Sequence, residues 1–126
     1  MLAAVCVGTN DLTSAGTFYD RVLATLDMAR TTENSHEIGY GKNADETVFY
    51  VLTPYDKQPA TFGNGSQVML RADSPQTVKA FYEVALQCGG TDDGPPGPRN
   101  YSQGYYGAYV RDIDGIKLHV FHLPVK

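Results

Sequence analysis

Two segments of the chain place apolar residues at the i, i+3, i+4, i+7 spacing of an amphipathic helix. They lie at residues 13–27 and 75–89. Each follows a residue that favours a helix N-cap, Asp11 before the first and Ser74 before the second, and Pro75 takes the favoured first helical position. The apolar positions are Ala15, Phe18, Tyr19, Val22, Leu23 and Leu26, then Val78, Phe81, Tyr82, Ala85 and Leu86. The pattern predicts two helices.

The two helical segments repeat one another at an offset of 63 residues, half of the 126-residue chain. Phe18-Tyr19 recurs as Phe81-Tyr82, and the strand-like run at 4–7 recurs at 67–70. A strand, a cap and a helical stripe that recur in one register indicate a duplication. Because a half of this size is too small to build an adequate core alone, we expect the halves to pair.

Strand-like segments follow each predicted helix. The first half continues with a polar stretch at 35–42, a turn at 43–45 and a β-rich run at 47–52. The second half continues with a Gly- and Pro-rich loop at 94–98, a segment at 105–111, a turn at 112–115 and a strand at 116–123. This order predicts an α+β fold in one domain, 1–126, built from two tandem βαβββ modules at 1–62 and 63–126.

Composition and charge limit the classes of function. With 42% hydrophobic and 19% charged residues, the chain has the composition of a globular protein. Its net charge of −4 argues against binding to a nucleic-acid backbone. No apolar run reaches the about 18 residues of a membrane span, and no signal peptide is recognisable, so we expect no membrane partner and a cytoplasmic location. Cys6 and Cys88 lie in separate predicted elements and are expected to be reduced core thiols.

Several of these segments resemble the vicinal oxygen chelate superfamily, which includes glyoxalase I, bleomycin-resistance proteins and extradiol dioxygenases. The matching segments are 8–12 leading to 18–20, then 63–65, Phe81-Tyr82 and 105–118. The last segment is similar to the closing hairpin of the family, with Ile113 in place of the usual Pro. The resemblance covers nearly the whole chain. It implies a glyoxalase-like fold, in which the two modules form a cupped mixed sheet, and it implies a homodimer.

The resemblance also implies where a metal would be bound. In the family, the first and last strands of each module usually carry His, Glu or Gln ligands. Those positions fall at Ala4, Val51, Gln67 and His119. Because Ala4 and Val51 carry no donor atom, one Gln and one His remain, fewer than the three protein ligands of a usual catalytic zinc site. We therefore expect no cofactor, and a divalent metal remains the less favoured alternative.

Strand alternation extends the candidate site from these positions. If Gln67 faces the cup, Met69 and Arg71 do so too, and Lys117 and Phe121 share the side of His119. The same reasoning from Ala4 and Val51 adds Cys6, Phe49 and Thr53. His122 is expected on the opposite strand face from His119, and His36 on the surface. The predicted lining is apolar and aromatic, as in a small-molecule pocket.

The segment at 94–103 carries two further candidates, Arg99 and Tyr101. We expect this Gly- and Pro-rich loop to cover the mouth of the cup. Arg71 and Arg99 would then be able to clamp a carboxylate or phosphate of a ligand. The tyrosines near this loop have a simpler alternative explanation, that they tile one face of a sheet. They are Tyr101, Tyr105, Tyr106 and Tyr109.

Three functions remain open at this point. The favoured one is a metal-independent protein of the bleomycin-resistance type that binds a small organic molecule. The second is a metal-dependent glyoxalase-like lyase or isomerase. The third is a metal-free enzyme of the same kind, with His119 as general base and Gln67 as a hydrogen-bond donor to an oxyanion. The identity of the ligand, and whether the cup closes within one chain or across a dimer, stay undetermined.

Overall fold

The computed structural model describes residues 1–124 and contains two βαβββ units in succession. The first unit comprises β1 (Val5–Gly8), α1 (Leu12–Ala24), β2 (Ala29–Glu33), β3 (Glu37–Gly41) and β4 (Phe49–Leu52). The second comprises β5 (Val68–Arg71), α2 (Pro75–Gln87), β6 (Thr91–Pro98), β7 (Tyr106–Arg111) and β8 (Lys117–His122). Each unit folds into a four-stranded mixed sheet, β1-β4-β3-β2 in sheet I and β5-β8-β7-β6 in sheet II. The predicted α+β fold of two βαβββ modules is confirmed.

Both helices begin where their capping residues predict. The Asp11 side chain accepts a hydrogen bond from the backbone N–H of Ser14, and Ser74 accepts one from Thr77, each at 3.1 Å. α2 ends near Gly89, whose φ of +97° is a left-handed conformation that glycine adopts without strain. Among the described residues 1–124, neither helix is long and apolar enough to span a membrane.

The apolar stripes of the helices and one side of each sheet form the core. Its largest members are fully buried: Phe18, Tyr19, Leu23, Tyr40, Phe49, Val51, Phe81, Val110 and Leu118. The ring of Tyr19 on α1 lies 5.0 Å from the ring of Phe49 on β4, centroid to centroid. The opposite side of each sheet carries no helix of this chain in the described part. We call this side the open face.

The prediction that Phe49 and Val51 face the cup is wrong. Both side chains are buried, at 1% and 0% exposure, in the core against α1. In the first module Cys6 pairs with Tyr50, and in the second Met69 pairs with His119. The structural counterpart of His119 is therefore Tyr50. The prediction aligned Val51 with His119, one residue out of register, and a one-residue shift moves a strand side chain to the other face.

The Gly- and Pro-rich segment after α2 also differs from its prediction as a loop. It forms the edge strand β6, which pairs with β7 through two register shifts, at Asp92/Gly94 and Gly94/Gly97. A strand at the edge tolerates proline because the missing N–H groups face outward, and bulges absorb the irregular backbone. The polar stretch after α1 likewise contains β3, whose Ile38 and Tyr40 are buried.

The two modules contact each other through the helices and through the turn after β7. The Tyr19 hydroxyl on α1 donates a hydrogen bond to the buried carboxylate of Asp112. The backbone N–H of Asn10 donates to Asp114 at 3.0 Å. β1 and β5 have one strand neighbour each within the described chain, so each sheet keeps an unpaired edge next to its open face.

Candidate functional site

The open face of sheet II carries most of the predicted site residues. Because β8 alternates, Leu118 and Val120 lie in the core while His119 and Phe121 lie on the open face. The parallel pairing of β5 with β8 puts Met69 next to His119 and Arg71 next to Phe121. Met69 is 54% exposed. The structure thus brings Met69, Arg71, His119 and Phe121 together on one surface.

Four rings stack in near-parallel planes on this face, and we call them the aromatic platform: Tyr105, Tyr109, His119 and Phe121. The centroids of Tyr109 and His119 are 3.9 Å apart at an interplanar angle of 7°. Tyr105 lies 5.3 Å from Phe121 at 7°, and 5.9 Å from His119 at 15°. Tyr105, His119 and Phe121 are 8%, 1% and 9% exposed, so the rings shield one another, and a planar organic molecule would reach only their exposed parts beside Met69.

Tyr101, in the segment between β6 and β7, covers part of the platform edge-on. Its ring lies 5.0 Å from Tyr105 and 6.5 Å from His119, with interplanar angles of 78° and 83°. Its hydroxyl shares a 2.8 Å hydrogen bond with that of Tyr109. The side chain is 58% exposed. It therefore stands at the boundary between the platform and solvent.

Both ring nitrogens of His119 are hydrogen-bonded. The Nδ1 atom lies 3.0 Å from the carbonyl oxygen of Ala108, which only accepts, so Nδ1 carries the proton. The Nε2 atom then accepts the hydroxyl of Tyr105 at 2.7 Å. The side chain is 1% exposed, and burial is the main cause that lowers the pKa of His119 below its ordinary 6.5, with smaller contributions from Arg99 and Lys117. The imidazole is thus neutral and fixed in one tautomer.

The donors at the family's ligand positions do not fit a usual metal centre. With the register corrected, these positions are Ala4, Tyr50, Gln67 and His119, and the second nitrogen of His119 is taken by Tyr105. Gln67 is exposed and lies one residue before β5, and its side chain forms no hydrogen bond with the rest of residues 1–124. Nowhere in that range do three or more His, Cys, Asp or Glu side chains gather as a metal site.

Several cationic groups surround the platform. Arg71 has its guanidinium carbon 5.2 Å from the ring centroid of Phe121. Arg99 lies 5.7 Å from the ring of Tyr109 and donates hydrogen bonds to the carbonyl oxygens of Pro95, Gly97 and Pro98, at 2.8, 3.1 and 3.3 Å. The structure therefore uses Arg99 to hold the backbone around β6, whereas Arg71 remains exposed.

The open face of sheet I carries fewer chemical groups. Cys6, which the prediction placed in the core as a reduced thiol, is exposed there, because β1 turns Val7 and not Cys6 toward the helices. Tyr50 lies beside it and packs over Gly39, where an added Cβ would approach the Tyr50 ring to 3.1 Å. His36 is exposed and His122 lies on the core side of β8, as predicted.

A sizeable cavity lies away from the platform. It has a volume of about 860 Å³ and lies at the end of sheet I, beneath the segment that follows β4. Its lining includes His36, Glu37, Leu52, Tyr55 and Lys57. The hydrogen bonds among its lining residues go to backbone carbonyl groups, as from Thr53 to His36, and Tyr55 is fully exposed. We therefore base the candidate site on the platform, where ring stacking and paired polar groups converge.

Sequence reasoning left Tyr105 and Tyr109 out of the candidate site. A usable signal was present, because the turn at 112–115 joins β7 and β8 as a hairpin. Antiparallel pairing about that turn places Tyr109 opposite His119 and Gly107 opposite Phe121. Counting outward from the turn would have found the ring partner of His119.

Known structures share this architecture over almost their whole length. A glyoxalase/bleomycin resistance protein from Albidiferax ferrireducens T118 is 40% identical, with a TM-score of 0.87 and coverage of 97% of this chain and 98% of that chain. A glyoxalase-related enzyme from Fulvimarina pelagi is 20% identical, with a TM-score of 0.76 and coverage of 99% and 89%. The fosfomycin resistance protein FosX from Mesorhizobium loti is 13% identical, with a TM-score of 0.69 and coverage of 99% and 93%. The last two support the fold alone.

The sequence model of one family covers nearly all of the chain. It is described as the Glyoxalase/Bleomycin resistance protein/Dioxygenase superfamily and matches residues 2–120. No curated protein matches the chain. With two βαβββ modules, the match over residues 2–120 and a 40% identical structure, the chain belongs to the Glyoxalase/Bleomycin resistance protein/Dioxygenase superfamily.

Proposed function

We propose that the protein binds a small organic molecule on the aromatic platform of sheet II without a metal ion. The observation that carries the proposal is the stack of four near-parallel rings next to the exposed Met69. Because three of these rings are already buried, a ligand would gain most of its apolar contact from Met69 and Tyr101, which are 54% and 58% exposed, at roughly 25 cal/mol per Å² removed from water. The donor set at the family's metal positions supports the metal-independent form, since the one imidazole present is already bonded at both nitrogens.

Binding of 2-naphthol, a planar uncharged probe, tests this proposal. We expect Tyr105→Leu and Phe121→Leu each to weaken binding about fivefold, because each removes an aromatic contact worth about 1 kcal/mol. Isothermal titration calorimetry on the metal-free protein measures the Kd. Tyr55→Leu is the matched control, since this exposed tyrosine lines the cavity of sheet I. Loss of binding in Tyr55→Leu, with normal binding in Tyr105→Leu, would assign the ligand to that cavity instead.

We also propose that two copies of the chain pair to cover the open faces. β1 and β5 each leave one edge unpaired, and exposed sheet edges beside apolar side chains are sites of association. Met69 stands on the edge strand β5 and is 54% exposed. A second copy would turn the two flat faces into a closed cup, which would bury more of the ligand than one face does.

Met69→Lys is expected to weaken this dimer at least tenfold, because the interface would have to desolvate a charge. Size-exclusion chromatography with light scattering, over a range of protein concentrations, measures the dissociation. Leu86→Lys serves as control: Leu86 is also a partly exposed apolar residue, at 37%, but lies on α2, away from the open face. A wild-type protein that is monomeric at every concentration would contradict the proposal, and so would equal effects of the two substitutions.

The hydrogen bond between Tyr105 and His119 favours a second candidate function, a metal-free lyase or isomerase. Ala108 orients His119 so that Nε2 accepts a hydrogen bond from the Tyr105 hydroxyl. Burial raises the pKa of Tyr105 and lowers that of His119, so the proton stays on Tyr105, which would act on a ligand as a general acid. In that case Tyr105→Phe would retain ligand affinity and lose turnover. Gln67, which is exposed and has no bond to His119, does not contribute to this arrangement.

We keep a cytoplasmic location as part of the proposal. Cys6 and Cys88 are both free, and unpaired thiols are typical of a reducing compartment.

A further inference from the structure

Positive charge gathers on the open face of sheet II although the chain as a whole is acidic. The net charge of the chain is −4. Arg71, Arg99, Arg111 and Lys117 all lie around this face, whereas Asp93 is the carboxylate that pairs there. Such a distribution raises the local concentration of anions.

Most of these cations already have partners. Asp93 pairs with Arg111 at 3.1 Å and with Lys117 at 3.4 Å. Arg99 is bonded to three backbone carbonyls, so its donors serve the backbone around β6. Arg71 differs, because it is exposed and forms no ion pair or hydrogen bond with another residue of the described 1–124. Its guanidinium donors therefore remain open to a ligand, unlike the donors of the other three cations.

Arg71 also has the right position relative to the rings. It is the last residue of β5 and pairs with Phe121, at the end of the platform. The guanidinium lies over the ring of Phe121, so a planar molecule that reaches the exposed parts of Phe121 and Tyr105 would direct a substituent on its rim toward the guanidinium. The planar fork of an arginine binds a carboxylate through two parallel hydrogen bonds.

We propose that the ligand of this site is a planar aromatic molecule with a carboxylate, its ring against Met69 and the exposed parts of Phe121 and Tyr105, and its carboxylate on Arg71. This inference rests on the proposed function, because it names the class of ligand for the same platform. Arg71 sets the charge preference, and the rings supply affinity that does not depend on charge.

Three probes with one ring system and different charges test the inference: 2-naphthoate, 2-naphthol and 2-naphthylmethylammonium. We expect 2-naphthoate to bind about tenfold more tightly than 2-naphthol, since hydrogen bonds between charged groups contribute more than neutral ones. The cationic probe should bind most weakly. Calorimetric titration of the wild-type protein at neutral pH and low salt measures all three Kd values.

Two arginine variants and one lysine variant separate a specific contact from a general field. Arg71→Gln should reduce the preference for 2-naphthoate over 2-naphthol to less than about twofold, while an unchanged midpoint of urea denaturation shows that the variant is folded. Arg71→Lys keeps the charge but loses the fork and should be intermediate. Lys117→Gln removes the same charge from the same face, but lies four residues from Phe121 on β8 and is paired with Asp93. It should change the preference by less than about twofold.

The outcomes distinguish this inference from the proposed function. Equal affinities for 2-naphthol and 2-naphthoate would overturn the inference and leave the function intact. An equal loss of the preference for 2-naphthoate in Arg71→Gln and Lys117→Gln would also overturn it. The preference would then come from the combined positive charge of this face and not from a contact with Arg71. If none of the three probes binds, the proposed function itself fails.

Discussion

Asp112→Ala is expected to lower the free energy of unfolding by about 3 kcal/mol, because each buried donor left without an acceptor costs about 1–3 kcal/mol. Asp112 is 4% exposed. Its carboxylate accepts the hydroxyl of Tyr19 and the backbone N–H groups of Asp114 and Ile116, the latter two at 2.8 and 2.9 Å. One side chain thus holds the β7–β8 turn in shape and ties it to α1 of the other module.

Urea denaturation of three variants measures this contribution. Tyr19→Phe removes only one of the three bonds and should cost about 1 kcal/mol. Asp93→Ala is the matched control, since its carboxylate is 31% exposed and its ion pairs with Arg111 and Lys117 should contribute less than about 1 kcal/mol. If Asp112→Ala is no more destabilising than Asp93→Ala, the junction between the modules does not depend on this carboxylate.

The same carboxylate predicts a pH dependence. Burial is the main cause that raises the pKa of Asp112 above its ordinary 3.8, in spite of the hydrogen bonds from Tyr19 and the turn. A raised native pKa means that the folded state binds the proton more tightly than the unfolded state. The contribution of Asp112 to stability is therefore largest below pH 3.8 and falls as the pH rises above that value. The difference between wild type and Asp112→Ala should be smaller at neutral pH than in acid.

Gly107→Ala is expected to displace His119 and to lower the free energy of unfolding by about 2 kcal/mol, the usual cost of overpacking a core. A Cβ at Gly107 would lie 2.7 Å from Cε1 of His119 and 3.3 Å from the carbonyl oxygen of Val120. The imidazole cannot move aside without losing hydrogen bonds, because its two nitrogens are bonded to Tyr105 and Ala108. The platform should therefore lose the stacking of His119 on Tyr109.

Gly97→Ala is the matched control for this substitution. Gly97 is the cross-strand partner of Gly107, but a Cβ there meets only Nη1 of Arg99, at an ordinary contact distance of 3.4 Å. We expect it to leave both stability and 2-naphthol binding almost unchanged. Equal effects of the two substitutions would show that the sheet, and not the imidazole, is sensitive at this position.

NMR titration measures the pKa of His119, which a general loss of stability would not change. In the wild type, the imidazole should stay in the Nδ1–H tautomer and titrate below its ordinary pKa of 6.5, mainly because of burial. In Gly107→Ala, the pKa should move back toward 6.5 as the ring becomes solvated. Because the native pKa is depressed, the stability that depends on neutral His119 is present above about pH 6.5 and is lost as the pH falls.

The helices and the first strands were predictable because residues close together in the sequence specify them. A capping side chain, an apolar stripe and a strand within a few residues of each other specify backbone geometry without distant partners. The repeat adds a second copy of the same information, and the spacing of 63 is retained between β1 and β5 and between α1 and α2. The α+β fold of two βαβββ modules followed from these features.

The register of β4 was not predictable in the same way. The run at 47–52 is apolar or aromatic at most positions, so alternation does not reveal which face enters the core. Pairing with β1 decides it, and puts Phe49 and Val51 against α1. Met69 with Arg71 on β5, and His119 with Phe121 on β8, were each predicted to share a face because alternation within a single strand needs no partner.

The sequence by itself determined the duplication, the two helices, and the separate pairs Met69 with Arg71 and His119 with Phe121, since these depend on spacing along one segment. The pairing of β5 with β8 then brought the two pairs onto one face. Only the tertiary structure decided that Tyr50 is the counterpart of His119. It also decided that the Tyr105 hydroxyl is hydrogen-bonded to Nε2 of His119. Arg99 donates its hydrogen bonds to backbone carbonyl groups, whereas Arg71 stays exposed. The physical reason is that hydrogen-bond partners and strand register are properties of pairs of segments distant in sequence, which no local pattern specifies.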